Sequence, residues 1–288
     1  MNMAKLFDTV AIIGVGLLGA SLGLALKQKA LAGTVRGVGR RRRSLDKALE
    51  IGAIDEACLD VAEAATGADL IVICTPAATV PQILDAVRPV CGKTAVVTDV
   101  ASTKALLCAH AKQAWAEPYR FVGSHPMAGS EKFGPEHAEA ELYSGSVCFV
   151  EQLNGHAEEA HTAVMDLWDK VGARVVQVEP EMHDAMVAKT SHVPHIVAAA
   201  LSQLIDNGDA DEAPFIGSGF IDTTRVAEGR PELWRDICLT NPEAIEANLS
   251  EVIRLLRGAA DAVTRLDGPQ LEEFFRKGRD ARIRALGQ

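Results

Sequence analysis

The stretch TVAIIGVGLLG, residues 9–19, decides the fold of this chain of 288 residues. Its β-branched apolar run predicts a buried strand, and its glycines predict a tight turn into a helix. Gly14 permits the turn, Gly16 lets backbone N–H groups approach a pyrophosphate, and Gly19 lets the helix pack closely on the strand. The residues expected to border a dinucleotide here are Gly14, Gly16, Leu17, Leu18 and Gly19. The alternative is a strand–helix turn that is rich in glycine but binds no nucleotide.

The first half of the chain alternates short apolar runs with longer helical patterns, which is typical of βαβ units around a buried parallel sheet. After Glu179 the pattern changes to long helical segments, with a break at Asn241-Pro242 and a loop at residues 205–215. The sequence therefore predicts an α/β fold, with a Rossmann-type, mostly parallel sheet domain over residues 1–178 and an all-helical domain over residues 179–288. The predicted strands are TVAIIGV, TVRGVGR, DLIVICT, TAVVTDV, RFVGSHP, SVCFVEQ and ARVVQVE.

The formal net charge of -10 predicts an acidic surface. Because nucleic acids and anionic membranes are bound mainly through Lys and Arg, we expect neither as a partner. Six cysteines are scattered without a C-x-x-C pair, which argues against structural zinc and against a disulfide framework. The first residues run into a strand pattern rather than a signal peptide, and no segment reaches the roughly 20 apolar residues of a membrane helix. We therefore expect a cytoplasmic protein that acts on a small molecule.

The helical half, residues 179–288, is short for a domain that must cover all its apolar helix faces by itself. A second copy of the chain can cover them, and two-fold dimers are the commonest soluble assemblies. We therefore expect a homodimer that forms through the helical domain.

The end of the second predicted strand carries Gly39 followed by four arginines, Arg40 to Arg43. NAD enzymes usually place Asp or Glu here for the ribose 2′-hydroxyl. No acidic residue is present to repel a 2′-phosphate, and Arg40 or Arg41 can pair with that phosphate. This segment therefore favours NADP over NAD as the cofactor. The alternative is that most of the arginine run is solvated surface, while Asp46 lies too far along the next helix to replace the missing acid.

Three polar clusters follow predicted strands, at the edge of the sheet where α/β proteins bind their ligands. The clusters are Thr75-Pro76, Ser102-Thr103-Lys104 and Ser124-His125-Pro126. We assign Thr75, Pro76 and Ser102 to the cofactor site.

His125 is the predicted catalytic residue, in the turn GSHPMAGSEKFG at residues 123–134. The glycines let cofactor or substrate approach closely, and an imidazole has a pKa suited to taking a hydroxyl proton as hydride leaves. The alternative is a structural histidine. Ser102 can hydrogen-bond the same hydroxyl, orient the imidazole or cap a helix that begins at Thr103. Lys104 is expected on the solvated surface of that helix.

The helical half contributes a second polar segment, Thr190–His195. Pro194 lies inside an apolar helical pattern, where it removes a backbone hydrogen bond and is expected to bend the helix. We expect His192 to contact the substrate and His195 to be a buried, hydrogen-bonded residue. The H-x-x-H spacing is also typical of metal sites, but without a third ligand we expect no metal.

Arg225 follows the glycine-rich segment GSGFIDTT, residues 217–224. In an acidic chain such an arginine suits a substrate carboxylate, which it can hold with two parallel hydrogen bonds. The alternative is an ion pair with Asp222 or Glu228.

Together, these motifs resemble the prephenate and arogenate dehydrogenases of tyrosine biosynthesis, and the resemblance runs nearly end to end. The segments that carry it are GVGLLGASLGLALK, DVASTK, GSHPMAGSEKFG, SHVPHIVAAAL and GFIDTTRVAEGRPELWRDI. The histidine motif and the last segment are specific in combination, because a generic Rossmann protein is not expected to carry both.

The resemblance implies a dehydrogenase that oxidises the hydroxyl carbon of a cyclohexadienyl acid while the ring carboxylate leaves as carbon dioxide. Hydride would pass to NADP or NAD, and prephenate and arogenate are both candidate substrates. By the same resemblance His125 accepts the hydroxyl proton with support from Ser102. The substrate-binding residues that it implies are Arg225, His192, Ser124 and Trp234. For Trp234, core packing is the alternative.

Two other functions compete with this one. β-Hydroxyacid dehydrogenases also join a Rossmann domain to helices, but they typically carry a helix Lys followed four residues later by Asn, and here Lys189 is followed by Val193. A nucleotide-sensing module without catalysis would lack the proton acceptor or the anchor. His125, Ser102 and Arg225 are all present, which favours the enzyme.

Overall fold

The structure is a computed structural model that describes residues 5–129, 132–205 and 214–287. The chain forms two compact units, residues 1–241 and 242–288. Among the described residues, no helix combines the length and the apolar character that a membrane span needs.

A six-stranded parallel sheet lies in the first unit. Its strands are β1 (Phe7–Ile13), β2 (Ala32–Val38), β3 (Glu56–Cys58), β4 (Leu70–Ile73), β5 (Val96–Asp99) and β6 (Phe121–Val122). They lie in the order β3-β2-β1-β4-β5-β6, which is the doubly wound Rossmann order. The predicted Rossmann-type sheet is therefore confirmed. The short strand β3 was not predicted, because three residues are too few to show a period.

Helices cover both faces of this sheet, so its central strands are apolar on both sides. In β1, Val10 and Ile12 belong to one apolar core, while Ala11 and Ile13 belong to the other. This alternation follows from the two-residue period of a strand. The helices of this part of the chain are α1 (Leu17–Gln28), α2 (Arg42–Glu50), α3 (Val61–Ala65), α4 (Val80–Val87), α5 (Ala105–Ala114) and α6 (Glu158–Lys170).

A second, three-stranded sheet consists of β7 (Ser124–Pro126), β8 (Val147–Glu151) and β9 (Arg174–Val178). Strand β7 runs antiparallel to β8, and β8 runs parallel to β9. The prediction of one continuous strand at RFVGSHP is therefore wrong, because the chain passes from the first sheet to the second at Gly123. Glu151 holds this crossing: its N–H donates to the Gly123 carbonyl at 2.8 Å, and its carboxylate accepts from the Gly123 N–H at 3.2 Å.

Helices follow β9, and no strand follows Val178 in the described residues. The helices are α7 (Pro180–Val187), α8 (Val193–Gln203), α9 (Ser218–Thr224), α10 (Pro231–Thr240), α11 (Pro242–Thr264) and α12 (Gly268–Leu286). The predicted helical half is confirmed, with its break at Asn241 between α10 and α11. Most of the loop predicted at residues 205–215 lies outside the described residues.

A π-helical turn, Ala188–His192, joins α7 to α8. Pro194 is the second residue of α8, and it has no N–H to donate back into the preceding turn. The interruption predicted at Pro194 thus takes the form of a wider turn directly before it.

Helices α7 to α10 belong to the same compact unit as the sheet. Helix α7 packs against α5, and α10 packs against the short 3-10 turn Ala77–Thr79 that follows β4. The domain boundary predicted at residues 178–179 falls between β9 and α7 and stays a prediction.

Candidate active site

The glycine turn after β1 has the geometry that a dinucleotide site needs. Gly14 has a φ of +108°, and a Cβ there would lie 2.5 Å from the Cys74 carbonyl oxygen. A Cβ on Gly19 would lie 2.0 Å from the Gly14 carbonyl oxygen, so helix α1 can pack this closely on β1 only with glycine here. Gly16 precedes α1 as its N-cap residue, and the space where its Cβ would stand is open. The free N–H groups and dipole of the α1 N-terminus therefore face space that an anion can enter.

The other predicted cofactor residues follow strands of the same parallel sheet, so they lie at the same edge as the glycine turn. Gly39 follows β2, Thr75 and Pro76 follow β4, and Ser102 follows β5. The edge between β1 and β4 is the topological switch point, where doubly wound proteins bind their ligands. Thr75 is anchored by Thr79, whose hydroxyl donates to the Thr75 hydroxyl at 2.9 Å. The residues present therefore fit a bound dinucleotide.

The arginine run lies between β2 and α2. Arg40 and Arg41 are exposed, and Arg41 is the N-cap residue of α2. Arg42 pairs with Asp46 at 2.9 Å, whereas no described acidic residue forms an ion pair with Arg40 or Arg41. Two guanidinium groups are thus available to an anion at the end of β2.

His125 lies in β7 and is only 8% exposed. Its Nδ1 lies 2.9 Å from Nε2 of His183 in α7, and the two rings meet edge to face with centroids 5.1 Å apart. Its Nε2 hydrogen-bonds to no described residue, which leaves that nitrogen for a ligand.

His183 continues the chain of hydrogen bonds to its neighbour Asp184. Nδ1 of His183 lies 2.8 Å from an Asp184 carboxylate oxygen. The same carboxylate accepts the backbone N–H groups of Lys104 at 2.7 Å and Ala105 at 2.9 Å, where α5 begins. Asp184 therefore caps α5 from another helix and orients His183 at the same time.

Burial is the main cause that lowers the pKa of His125 well below its usual value, and His183, Lys104 and His192 add to the shift. The ring is therefore neutral at physiological pH, as a proton acceptor must be. Burial also lowers the pKa of His192 to about 4, although the Asp184 carboxylate opposes that shift.

Lys104 is 2% exposed and forms an ion pair with Asp99, which is fully buried. The prediction that Lys104 lies on a solvated helix surface is therefore wrong, because its ammonium group compensates a carboxylate at the end of β5. Burial raises the pKa of Asp99, and the ammonium group opposes the rise.

Ser124 is fully buried beneath His125. Its backbone N–H donates to an Asp99 carboxylate oxygen at 3.1 Å, and its hydroxyl donates to the Asp99 carbonyl at 2.5 Å. Trp168 donates its indole N–H to the same hydroxyl at 2.9 Å, and the Thr98 hydroxyl lies 2.9 Å away. The hydroxyl is thus fully used inside the protein, so this position does not favour the predicted contact with the substrate.

Ser102 is half-buried, and its hydroxyl hydrogen-bonds to no described residue. It does not cap α5, because that helix begins at Ala105 and is capped by the Asp184 carboxylate instead. Thr103 is held by Thr240 of α10, with 2.9 Å between the two hydroxyls. The Ser102 hydroxyl is therefore available to a ligand at the end of β5.

The helical residues form an aromatic group around Trp234. His195 stacks on the indole with a centroid distance of 3.6 Å, and His192 meets it edge-on at 6.3 Å. Nδ1 of His195 lies 2.9 Å from the Ser191 carbonyl, so His195 has the hydrogen bond that was predicted for it, but it is half-buried rather than buried. The side-chain amide of Asn241 binds the Asp184 carbonyl at 2.9 Å and lies 3.4 Å from Nδ1 of His192. Asn241 thus links this group to the His183–Asp184 pair.

Arg225 is exposed and begins the 3-10 turn Arg225–Glu228, which packs against α8. Neither Asp222 nor Glu228 forms an ion pair with it, so the predicted alternative is not observed in the described residues. Arg225 lines an open groove of about 370 Å³ together with Phe220 and Ile221.

The sequence interpretation missed His183, Asp184 and Asn241. One signal for the first two was present, since the buried positions of α7 are 180, 183, 184 and 187, which is the spacing of an apolar helix face. A histidine and an aspartate at core positions need internal partners, and such residues often mark a functional site. For Asn241 the sequence showed only a helix break.

A glycine turn at a Rossmann switch point and a buried neutral histidine define a dinucleotide-dependent oxidoreductase. The family models described as "Prephenate dehydrogenase, nucleotide-binding domain" and "Prephenate dehydrogenase, dimerization domain" match residues 22–177 and 179–277. The chain belongs to this family of prephenate and arogenate dehydrogenases, as its motifs indicated.

Several named proteins are similar to this chain over nearly its whole length. A cyclohexadienyl dehydrogenase of Zymomonas mobilis is 30% identical over 96% of both chains. A prephenate dehydrogenase of Bacillus subtilis is 31% identical over 98% of this chain and 76% of its own. The crystal structure of the prephenate dehydrogenase of A. aeolicus with hydroxyphenyl propionate and NAD+ has a TM-score of 0.89 at 28% identity, and covers 99% of this chain and 100% of that chain. The arogenate dehydrogenase of Synechocystis has a TM-score of 0.80 at 29% identity, over 96% of this chain and 99% of that chain.

Proposed function

We propose that this dehydrogenase acts on prephenate, arogenate or both, with His125 as the group that takes the hydroxyl proton. The observation that carries the proposal is the state of His125, which is buried and neutral, with Nδ1 bound to His183 and Nε2 left for a ligand. The names of the relatives support the two substrates, since they are cyclohexadienyl, prephenate and arogenate dehydrogenases.

The residues of the chain have a limited task in this reaction. When bound, the nicotinamide supplies a hydride acceptor. His125 takes the proton of the ring hydroxyl as hydride leaves its carbon. The ring carboxylate leaves as carbon dioxide, and the electron pair of the broken C–C bond makes the ring aromatic, so the hydroxyl oxygen becomes a phenolate oxygen that then takes up a proton. Aromatisation makes the step strongly downhill, so the protein has mainly to hold the substrate in place and to accept the proton.

We further propose that Ser102 hydrogen-bonds the reacting hydroxyl at the end of β5, where its own hydroxyl has no partner among the described residues. Arg225 binds a substrate carboxylate, because its guanidinium group is exposed beside an open groove and free of Asp222 and Glu228. His192 and Trp234 border the substrate from the helical side. Ser124 acts from beneath His125, through its buried hydrogen bonds, rather than as a direct contact.

For the cofactor we propose NADP in preference to NAD. The chain has a nucleotide-binding domain of this family, and the A. aeolicus relative was crystallised with NAD+. In this chain, however, the end of β2 presents Arg40 and Arg41, which pair with no described acid. A 2′-phosphate is an anion that such arginines can bind with charge-assisted, bidentate hydrogen bonds.

The test is the initial rate of nicotinamide reduction in a two-by-two design, with prephenate or arogenate against NADP or NAD. We expect activity in at least one combination, and the fastest one identifies both substrate and cofactor. His125→Asn is expected to lower turnover by at least about a hundredfold with little loss of cofactor affinity, because a general base contributes about that much. Arg225→Ala is expected mainly to raise KM for the substrate.

His137→Gln is the matched control, since His137 is exposed and takes part in none of the hydrogen bonds described for the site. It is expected to leave the rate unchanged. No rate in any of the four combinations would exclude these substrates, and near-normal turnover in His125→Asn would exclude His125 as the proton acceptor.

A further inference from the structure

The hydrogen bonds of His125, His183 and Asp184 fix the protonation state of each ring. A carboxylate accepts but does not donate, so the nitrogen of His183 that faces Asp184 at 2.8 Å carries the hydrogen. In a neutral imidazole the other nitrogen is then an acceptor. Nε2 of His183 therefore accepts the hydrogen of His125 Nδ1 across 2.9 Å. It follows that Nε2 of His125 carries a lone pair rather than a hydrogen.

The positive charge that proton uptake creates is more stable on one of the two histidine rings than on the other. His125 is buried and lies near Lys104 and His192, which disfavour a cation on its ring. His183 lies between His125 and the Asp184 carboxylate, whose other oxygen is occupied at the start of α5. A cation on His183 is therefore next to an anion, whereas a cation on His125 is not.

We propose that His183 and Asp184 are positioning residues for proton uptake by His125, and this inference rests on the proposed function. Asp184 fixes the tautomers of both rings, so that the lone pair of His125 Nε2 faces the substrate. As the O–H bond of the substrate breaks, its proton binds Nε2 of His125, and the Nδ1 hydrogen of His125 moves to Nε2 of His183. The electron pair of the O–H bond stays on oxygen, and the resulting cation on His183 is paired with Asp184.

Two substitutions separate the two roles. His183→Gln places an amide oxygen near the position of Nε2, so it can still accept the hydrogen of His125 Nδ1 but cannot take up a proton. Asp184→Asn removes the charge and allows the wrong tautomer of His183. The corresponding aspartate-to-asparagine change lowers kcat about ten-thousandfold in the Ser-His-Asp hydrolases. We expect kcat to fall at least about tenfold in His183→Gln and at least about a hundredfold in Asp184→Asn, with KM for cofactor nearly unchanged in both.

The first readout is the pH dependence of kcat. Among the described residues, the ionisable groups that face the two rings are Asp184 on α7, Lys104 and its partner Asp99 at α5 and β5, and His192 in the π-helical turn. Since a carboxylate favours the protonated form of a nearby imidazole, Asp184→Asn is expected to move the acid limb to lower pH. Loss of activity from a merely structural defect would lower the rate at all pH values without moving that limb.

The second readout needs no turnover. Nitrogen-15 NMR spectra of the histidine rings in the protein without ligand report which nitrogen carries the hydrogen. We expect both His125 and His183 as Nδ1–H tautomers in the natural protein and in His110→Gln, and a mixture of tautomers in Asp184→Asn. His110→Gln is the matched control, because His110 forms the same kind of pair with Asp85, at 3.0 Å, on the surface.

An Nε2–H tautomer of His125 in the natural protein, or unchanged kcat in His183→Gln, would overturn the inference. Because His183→Gln leaves the cap of α5 intact, its result stands even if Asp184→Asn does not fold. The proposed function is tested separately by His125→Asn. If His125→Asn loses turnover while His183→Gln keeps it, only the positioning role of His183 and Asp184 is refuted.

Discussion

At the scale of single residues, several charged and polar side chains are buried at or beside the helices that border the site. Lys104 is buried one residue before α5 and compensates Asp99, and His183 and Asp184 are buried on α7. Burying a charge is costly in free energy unless the charge is paired. We therefore expect these residues to serve mainly by holding the ends of β5 and β7 in position. Composition cannot reveal such pairs, because Asp99 and Lys104 find their partners only in the folded chain.

The arginines after β2 give a prediction about cofactor choice. Replacing both Arg40 and Arg41 by alanine is expected to raise KM for NADP at least about tenfold, because each loses a charge-assisted hydrogen bond to the 2′-phosphate. KM for NAD is expected to change little. Steady-state kinetics with both cofactors measures the effect.

Arg43→Ala is the matched control, an exposed arginine of the same run that lies within α2. An equal change in KM for NADP and NAD, or an unchanged KM for NADP, would show that Arg40 and Arg41 do not recognise the 2′-phosphate.

The roles of the glycines could be read from the sequence because they depend on local geometry alone. Gly14 has a positive φ, and helix α1 lies close to β1 at Gly19, as the spacing of these glycines predicts. The candidate catalytic residue His125 was predicted from its position directly after an apolar strand, and the structure places it in the middle of the short strand β7. Its partner was not predicted, because 58 positions separate His125 from His183 and only the fold brings them together.

At the scale of elements, the crossing at Gly123 sets the position of β7. Two buried carboxylates hold consecutive N–H groups there, Glu151 that of Gly123 and Asp99 that of Ser124. The segment RFVGSHP was predicted as one strand, although its apolar run ends at Val122 and Gly123 follows. The bonds that divide it involve backbone groups, which leave no pattern in the sequence.

Glu151 gives a prediction about stability and pH. Lys112 and His156 contact its carboxylate at 2.9 Å and 3.3 Å, and these partners lower the pKa of Glu151 to about 2 against the raising effect of burial. Since the folded-state pKa is below that of an unfolded glutamate, the carboxylate stabilises the protein above about pH 4.5. This contribution is lost as the pH falls from there to about 2.

Glu151→Gln is therefore expected to lower the free energy of unfolding by about 3 kcal/mol at pH 7, the value that corresponds to such a shift. Between pH 4.5 and pH 2 the natural protein should lose more stability than the variant. Urea unfolding at several pH values measures both quantities. Glu159→Gln is the control, because that carboxylate is exposed and pairs with Arg120 on the surface. Parallel pH curves for natural protein and Glu151→Gln would contradict the assignment.

At the scale of the whole molecule, the Rossmann-type sheet and the helical half that follows it were predicted from the sequence, since the connections in such folds are short and follow fixed rules. Helices α7 to α10 belong to the same compact unit as the sheet, although their sequence has the pattern of a separate helical domain. A helical pattern shows that a face is apolar but does not show which surface covers it.

The second unit, α11 and α12, gives a prediction about assembly. It exposes large apolar side chains on both helices, among them Leu256 and Phe275, which are 55% and 68% exposed. The family model that matches residues 179–277 is that of a dimerization domain. We therefore expect a homodimer in sedimentation at micromolar concentration, and we expect Leu256→Asp to shift it towards the monomer.

Glu251→Gln is the control, since Glu251 forms an exposed pair with Arg254 on the same helix. A natural protein that sediments as a monomer at these concentrations would exclude the dimer. The prediction of a cytoplasmic location is independent of this result.

The π-helical turn at Ala188–His192 fixes the phase between two helices. A π-turn holds one residue more than an α-helical turn, and each residue of an α-helix turns the chain by about 100° and advances it by about 1.5 Å. If one residue were deleted from this turn, the helix would become regular and every side chain of α8 would rotate by that angle relative to α7. His195 would turn away from Trp234 while His183 stayed beside His125. A single residue thus sets whether His195 on α8 and His183 on α7 can both reach their partners.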